Sequence, residues 1–109
     1  MKFPNIFSHK KIHFILDRDS VCLADDVESH KQEVTLIDNK LETILMRIAK
    51  KYLPHISGDK HHWECMVNHT SCAVINSNCS EITITQEDVP LSEGINHLYF
   101  YFRSSRMDG

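Results

Sequence analysis

The chain has 109 residues, of which 41% are hydrophobic and 25% are charged, and its formal net charge is −3 with histidines counted as neutral. A chain of this length can bury one core, since single domains hold roughly 50–200 residues, so we expect one domain over residues 1–109. The negative charge argues against nucleic acid as a partner, because proteins that bind it usually present a basic face to the phosphates.

The N-terminal residues are not predicted to form a targeting or membrane segment. Pro4, Asn5, Ser8 and His9 interrupt the only apolar stretch before it reaches the roughly seven residues of a signal-peptide core. No run approaches the ~20 apolar residues of a membrane-spanning helix. We therefore expect a cytoplasmic protein that does not enter the membrane, with its four cysteines mostly reduced.

Strand-like runs come first along the chain. Residues 12–16 and 21–24 alternate in the manner of strands, and residues 17–20, Asp-Arg-Asp-Ser, have the chemistry of a turn. Residues 11–25 are therefore predicted to form a hairpin. Residues 33–37, EVTLI, predict a third strand that leads into a helix.

The helix has the clearest pattern in the sequence. Its apolar residues recur at i, i+3, i+4, i+7 and i+8, which places them on one stripe of a 3.6-residue period. Asn39 and Glu42 have the spacing of a capping box, and Pro54 ends the helical region. The pattern predicts a helix over about 40–53, with this apolar stripe: Leu41, Ile44, Leu45, Ile48, Ala49, Tyr52 and Leu53.

The rest of the chain is rich in strands. Residues 62–76 predict a second hairpin with its turn at Asn68 and His69, residues 81–85 alternate, and residues 98–102 form an aromatic last strand. This gives about six to seven short strands and one main helix, without regular β-helix-β alternation. The fold class is therefore predicted to be α+β, with a mostly antiparallel sheet packed on one helix.

One helix shields only one face of such a sheet. A helix of about 14 residues is about 21 Å long. The residues predicted to face it are Leu98, Phe100, Phe102, Trp63, Cys65 and Val67. The opposite face is predicted to carry Tyr99, Tyr101, Arg103, Thr83, Thr85 and Glu64. It is either solvated or a contact surface.

Residues 61–79 are dense in possible metal ligands, namely His61, His62, Cys65, His69, Cys72 and Cys79. Structural zinc prefers pairs spaced as C-x2–4-C, whereas these cysteines are seven residues apart. Asp17, Asp19, Asp25 and Asp26 lack the ligand order and central glycine of a calcium loop. The sequence therefore predicts no metal ion, and buried cysteines are the simpler interpretation.

No catalytic motif marks a nucleophile or a phosphate-binding loop. We therefore predict that the chain is not an enzyme and has no cofactor. A small metal-dependent or Cys/His enzyme that uses residues 61–79 remains an alternative.

Acidic residues concentrate in three predicted loops. A negative patch made by these loops would steer a cationic partner and raise its association rate. The three groups are Asp17 and Asp19, then Asp25, Asp26 and Glu28, then Glu87, Asp88 and Glu93.

The stretch DRDSVCLADDVESH at residues 17–30, in a small acidic α+β chain, resembles the immunity proteins of bacterial contact-dependent growth inhibition and related toxin–immunity pairs. Within these, it is most similar to those that neutralise a secreted ribonuclease toxin, including the ribonuclease-A-like type. The resemblance implies a cytoplasmic, non-enzymatic protein that binds one cognate toxin domain and blocks its active site or its RNA-binding surface. A non-enzymatic adaptor or dimerising subunit is a further alternative.

The predicted partner is therefore a cationic nuclease domain, and two groups of residues are predicted to bind it. The acids provide steering and ion pairing: Asp17, Asp19, Asp25, Asp26, Glu28, Glu87, Asp88 and Glu93. Tyr99, Tyr101 and Arg103 form a second surface, because tyrosine and arginine are favoured as interface anchors.

Overall fold

The computed structural model describes residues 10–21, 30–37, 40–54, 56 and 61–104. In these residues the chain forms six strands and one helix, so the predicted α+β class is confirmed. In chain order they are β1 (Lys11–Arg18), β2 (Gln32–Ile37), α1 (Leu41–Tyr52), β3 (His61–Val67), β4 (Thr70–Asn76), β5 (Ile82–Ile84) and β6 (Ile95–Ser104).

The strands form one sheet in the order β2-β1-β6-β3-β4-β5. Strands β1 and β6 pair in parallel, with His13 opposite Ile95 and Arg18 opposite Phe100, and the other neighbours pair antiparallel. The predicted mostly antiparallel sheet is therefore confirmed. Strands β1 and β6, the first and last of the described chain, therefore lie side by side near the middle of the sheet.

The predicted first hairpin is corrected in two respects. Asp17 and Arg18, which were assigned to its turn, belong to β1 because they continue the ladder with β6. The antiparallel partner of β1 is β2, with Lys11 opposite Ile37. Residues 22–29, which include most of the predicted second strand, lie outside the described residues.

Helix α1 begins and ends close to the predicted limits. Its N-cap is Lys40, whose side chain makes no capping hydrogen bond, so the N-cap lies one residue after the predicted position. Asn39 lies outside the described residues. Ile44, Leu45 and Ile48 are buried, as the apolar stripe predicts. In the described part of the chain, no helix combines the length and hydropathy needed to cross a membrane.

The core lies between α1 and one face of the sheet. The predicted helix-facing side of the sheet is confirmed, because Trp63, Cys65, Val67, Leu98 and Phe100 are all at most 1% exposed and belong to the same cluster as the helix stripe. Phe102 is partly buried against that cluster. Each large apolar side chain that is fully buried contributes about 1.5–3 kcal/mol.

The predicted second hairpin is confirmed. Its turn residues, Asn68 and His69, both have positive φ angles, of 49° and 73°. Positive φ at both central residues is the conformation of a type I′ turn, whose twist matches the right-handed twist of the paired strands.

A buried amide fixes this end of the sheet. The fully buried side chain of Asn96 accepts hydrogen bonds from Asn68 Nδ2 at 2.9 Å and from the Ser92 amide at 2.7 Å. Its own Nδ2 donates to the carbonyls of Ser92 and His13. The hairpin turn, the loop before β6 and strand β1 are therefore held together here.

Candidate functional site

Aromatic side chains line the face of the sheet opposite α1, called here the open face. Along β6, Tyr99 and Tyr101 alternate with the buried Leu98 and Phe100, so both tyrosines point away from the helix. Their ring centroids are 4.5 Å apart and the planes are tilted by 45°. The Cζ atom of Arg103 lies 4.9 Å from the centroid of the Tyr101 ring. The predicted second surface therefore forms one contiguous group.

A carboxylate on β3 holds the arginine in place. Arg103 Nε donates to Glu64 Oε1 at 3.1 Å, and Ser71 Oγ donates to Glu64 Oε2 at 2.8 Å. The hydrogen bond from Ser71, followed by that from Arg103, lowers the pKa of the Glu64 carboxyl. Glu64 is opposite Tyr101 in the ladder between β3 and β6. The guanidinium is thereby held beside the tyrosine pair.

Asp19 connects the end of β1 to β6. Its Oδ1 accepts a hydrogen bond from the Tyr99 hydroxyl at 2.7 Å, and its Oδ2 accepts one from the Phe102 amide at 2.9 Å. Burial, followed by the hydrogen bond to Asp19, raises the pKa of the Tyr99 hydroxyl. Both oxygens of Asp19 therefore have partners within the chain, so this carboxylate orients the tyrosine.

A concavity of about 570 Å³ lies next to the tyrosine pair and is called here the tyrosine concavity. Its lining includes Asp17, which is opposite Tyr99 in the parallel ladder, and Glu33 from β2. Ile15 is opposite Glu33 on one side and His97 on the other, so it lies on the floor between two polar neighbours. Strands β1, β2 and β6 therefore bring two carboxylates and two tyrosines around one depression.

The acids of the third predicted loop lie elsewhere. Glu87 and Asp88 are exposed and follow β5, which is three strands from β6, or about 14 Å at about 4.8 Å per strand. Glu93 is exposed and precedes β6, whose first residue lies four residues, or about 13 Å, from Tyr99. Asp25, Asp26 and Glu28 lie outside the described residues. The structure thus brings Asp17 and Asp19 to the tyrosines and separates Glu87, Asp88 and Glu93 from them.

The cysteines of residues 61–79 are core residues. Cys65, Cys72 and Cys79 are free thiols that are at most 2% exposed. Burial raises the pKa of the Cys65 thiol well above its usual value and raises that of Cys72 to about 11. A nucleophilic cysteine needs the opposite shift. Among the described residues, no group of three or more His, Cys, Asp or Glu side chains is arranged to hold a metal ion.

Sequence reasoning missed most of the lining of the tyrosine concavity, including Glu33, Ile15 and Met66. Glu33 and Ile15 reach it because β2 and β1 are neighbours, and the sequence pattern did not reveal that pairing. Met66 also lines it, directly opposite Tyr99. The alternation that buries Cys65 and Val67 would have placed Met66 on the open face.

Comparisons of the chain with protein-family models, with curated proteins and with solved structures found no match.

Proposed function

We propose that this chain is an immunity-type inhibitor, which binds one cognate toxin nuclease domain and occludes its active site or RNA-binding surface. The observation that carries the proposal is the grouping of Tyr99, Tyr101, Arg103 and Asp17 on one solvent-facing side of the sheet. Tyrosine and arginine are among the residue types that dominate binding energy in protein interfaces. The likeness of residues 17–30 to toxin-neutralising immunity proteins supports the same function.

The open face is pre-organised for binding. Asp19 orients the Tyr99 ring, and Glu64 orients the Arg103 guanidinium, before any partner arrives. Side chains that are already ordered lose less conformational entropy when an interface forms, which favours affinity. A standard interface covers about 800 Å² per partner, or about one ninth of the 7239 Å² surface of this chain.

The charges support a cationic partner, with different roles for the two groups of described acids. Asp17 lines the tyrosine concavity and is close enough to the aromatic anchors to pair with a partner's basic side chain. Glu87, Asp88 and Glu93 are exposed but distant, so we assign them long-range steering, which acts through the field of the whole molecule and falls with added salt. A nuclease that grips RNA presents the matching positive cleft.

The test uses two purified proteins: this chain and the C-terminal domain encoded by the gene immediately upstream of its own. Titration calorimetry should give a one-to-one complex, and cleavage of a fluorogenic RNA by the upstream domain should cease at equimolar inhibitor. Tyr101→Ala should weaken the complex by about 30-fold, since an interface anchor contributes about 2 kcal/mol or more. Tyr101 is chosen for this variant rather than Tyr99, because the hydroxyl of Tyr99 donates a hydrogen bond to Asp19. Truncation of Tyr99 would therefore also disturb the fold.

The matched control is Thr83→Ala, which truncates an exposed side chain on the edge strand β5 and should leave affinity unchanged. Absence of a complex at micromolar concentrations would overturn the proposal. Continued RNA cleavage in the presence of saturating inhibitor would also overturn it. An equal loss of affinity in both variants would remove the tyrosine pair from the binding surface.

A further inference from the structure

We propose that the tyrosine concavity is a pocket for one guanidinium group, that of an arginine side chain presented by the partner. The inference rests on the proposed inhibitor function, since it names the chemistry that the open face would grip. It is nevertheless a property of this chain alone, and a small arginine derivative can test it directly.

The aromatic wall supplies the first argument. Tyr99 and Tyr101 both line the concavity, and a guanidinium is attracted to the face of such a ring when it lies within about 6 Å of the centroid. The chain already contains one such contact, because the Arg103 guanidinium lies 4.9 Å from the Tyr101 centroid. The tyrosine pair is therefore compatible with a guanidinium at its margin.

The charge of the lining supplies the second argument. Asp17 and Glu33 contribute two negative charges, and Lys31 contributes one positive charge, so the lining carries one net negative charge with His69 and His97 counted as neutral. Asp17 is half-buried, which reduces the screening of its charge by solvent. An anionic ligand such as a nucleotide is disfavoured here, and a cationic group is favoured.

The floor of the concavity supplies the third argument. Ile15 on β1 and Met66 on β3 offer apolar surface in the lining, one on each side of the strand that carries the tyrosines. An arginine or lysine side chain buries its methylene stem on such surface while its charged end reaches polar groups. Arginine fits better than lysine, because its planar group stacks on aromatic rings and binds carboxylates through two parallel hydrogen bonds.

The experiment is a titration of the ¹⁵N-labelled full chain with N-acetyl-arginine-N-methylamide, followed by amide chemical shifts. Citrulline in the same blocked form is the control ligand, since it has nearly the same shape without the charge. Saturable shifts are expected for arginine in β1, β2 and β6 around the concavity, with weaker binding of the lysine derivative and none of citrulline. Equal chemical-shift changes with arginine and citrulline, or arginine-induced shifts that do not saturate, would overturn the proposal of a guanidinium pocket.

Charge variants make the test specific. Asp17→Asn should weaken arginine binding at least threefold while retaining an oxygen that can accept from the Arg18 amide. Glu81→Gln removes the same charge from an exposed side chain directly before β5 and should have no effect. Lys31→Gln should strengthen binding, because the lining then carries two net negative charges. Unchanged binding in Asp17→Asn, or weaker binding in Lys31→Gln, would contradict the proposal.

Two safeguards separate the possible failures. If Asp17→Asn does not fold, Glu33→Gln removes an exposed carboxylate from the same lining and should weaken binding in its place. If arginine binds but the upstream nuclease domain does not, the inhibitor function fails and the pocket stands. If the nuclease domain binds and depends on Tyr101 while arginine gives no saturable shift, the pocket fails and the inhibitor function stands.

Discussion

Asp19 shows how one carboxylate can stabilise the fold and shape the open face together. It accepts hydrogen bonds from the Tyr99 hydroxyl and from the Phe102 amide, and its own amide donates to the carbonyl of Phe100. These contacts bring the end of β1 against β6 and fix the orientation of a tyrosine on the open face. An acid that looks like a solvated turn residue in the sequence therefore fastens the chain directly after β1 to β6.

Asp19→Ala should lower the free energy of unfolding by about 1–3 kcal/mol, because two donors lose their shared acceptor. Tyr99→Phe removes only one of the two hydrogen bonds and should cost less. Urea denaturation measures both variants. A denaturation midpoint for Asp19→Ala equal to that of the wild type would show that water replaces these hydrogen bonds without loss of stability. Asp19 would then keep only its predicted role in ion pairing with a partner.

The contrast between Asp19 and Tyr101 shows how far the sequence determines individual site residues. Strand alternation was enough to place Tyr99, Tyr101 and Arg103 on one face, because strand parity is a local property. The role of Asp19 depends on a partner strand about 80 residues further along the chain, which no local pattern encodes. The same is true of Glu33, which reaches the concavity only through the pairing of β1 with β2.

Among the elements, the turn between β3 and β4 departs from the usual residue choice. Asn68 and His69 both adopt positive φ, where glycine has no steric penalty and other residues do. The two residues differ in what their side chains do. Asn68 donates to Asn96 and accepts from the His97 amide, at 2.9 Å and 2.8 Å, whereas His69 is exposed.

The same substitution at these neighbouring positions should therefore have opposite effects. His69→Gly should raise the free energy of unfolding by about 0.5–1 kcal/mol, because it relieves the left-handed strain. Asn68→Gly should lower it by about 1–2 kcal/mol, because two hydrogen bonds are lost. Urea denaturation of both variants measures the pair. Stabilisation by Asn68→Gly would mean that its side-chain bonds contribute nothing.

The elements that the sequence predicted well are those with local causes. Helix α1 follows from a 3.6-residue stripe, and the hairpin of β3 and β4 from two alternating runs joined by a two-residue turn. The length of β1 was underestimated, because Asp17 and Arg18 have turn chemistry that the ladder with β6 overrides. Parallel pairing of the first and last described strands is a long-range contact, and strand patterns do not specify partners.

At the scale of the whole molecule, the packing of α1 on one side of the sheet leaves the two faces chemically different. The face against α1 holds the apolar core together with three thiols, while the open face holds tyrosines, an arginine and carboxylates. Ionisable groups on both sides resist deprotonation. Burial raises the pKa of the Cys72 thiol to about 11 and that of the Tyr52 hydroxyl to about 12, and it also raises those of Cys65, Cys79 and Tyr99.

These shifts make the fold sensitive to alkali. In the unfolded chain, thiols ionise near pH ~8.5 and tyrosines near pH ~10, while the folded chain keeps the same protons to higher pH. The unfolded state therefore binds fewer protons above pH ~8.5, so the free energy of unfolding falls as pH rises. Each proton that differs fully between the two states contributes about 1.4 kcal/mol per pH unit.

The melting temperature should therefore be level near neutral pH and should decrease steadily from about pH 8.5 to pH 11. Differential scanning calorimetry under reducing conditions measures this profile. Cys72→Ala removes one of the shifted groups, so its melting temperature should decrease less steeply with pH than that of the wild type, whatever its value at neutral pH. A wild-type profile that stays flat to pH 11 would contradict the burial of these groups, because buried thiols and tyrosines must ionise when the chain unfolds in alkali.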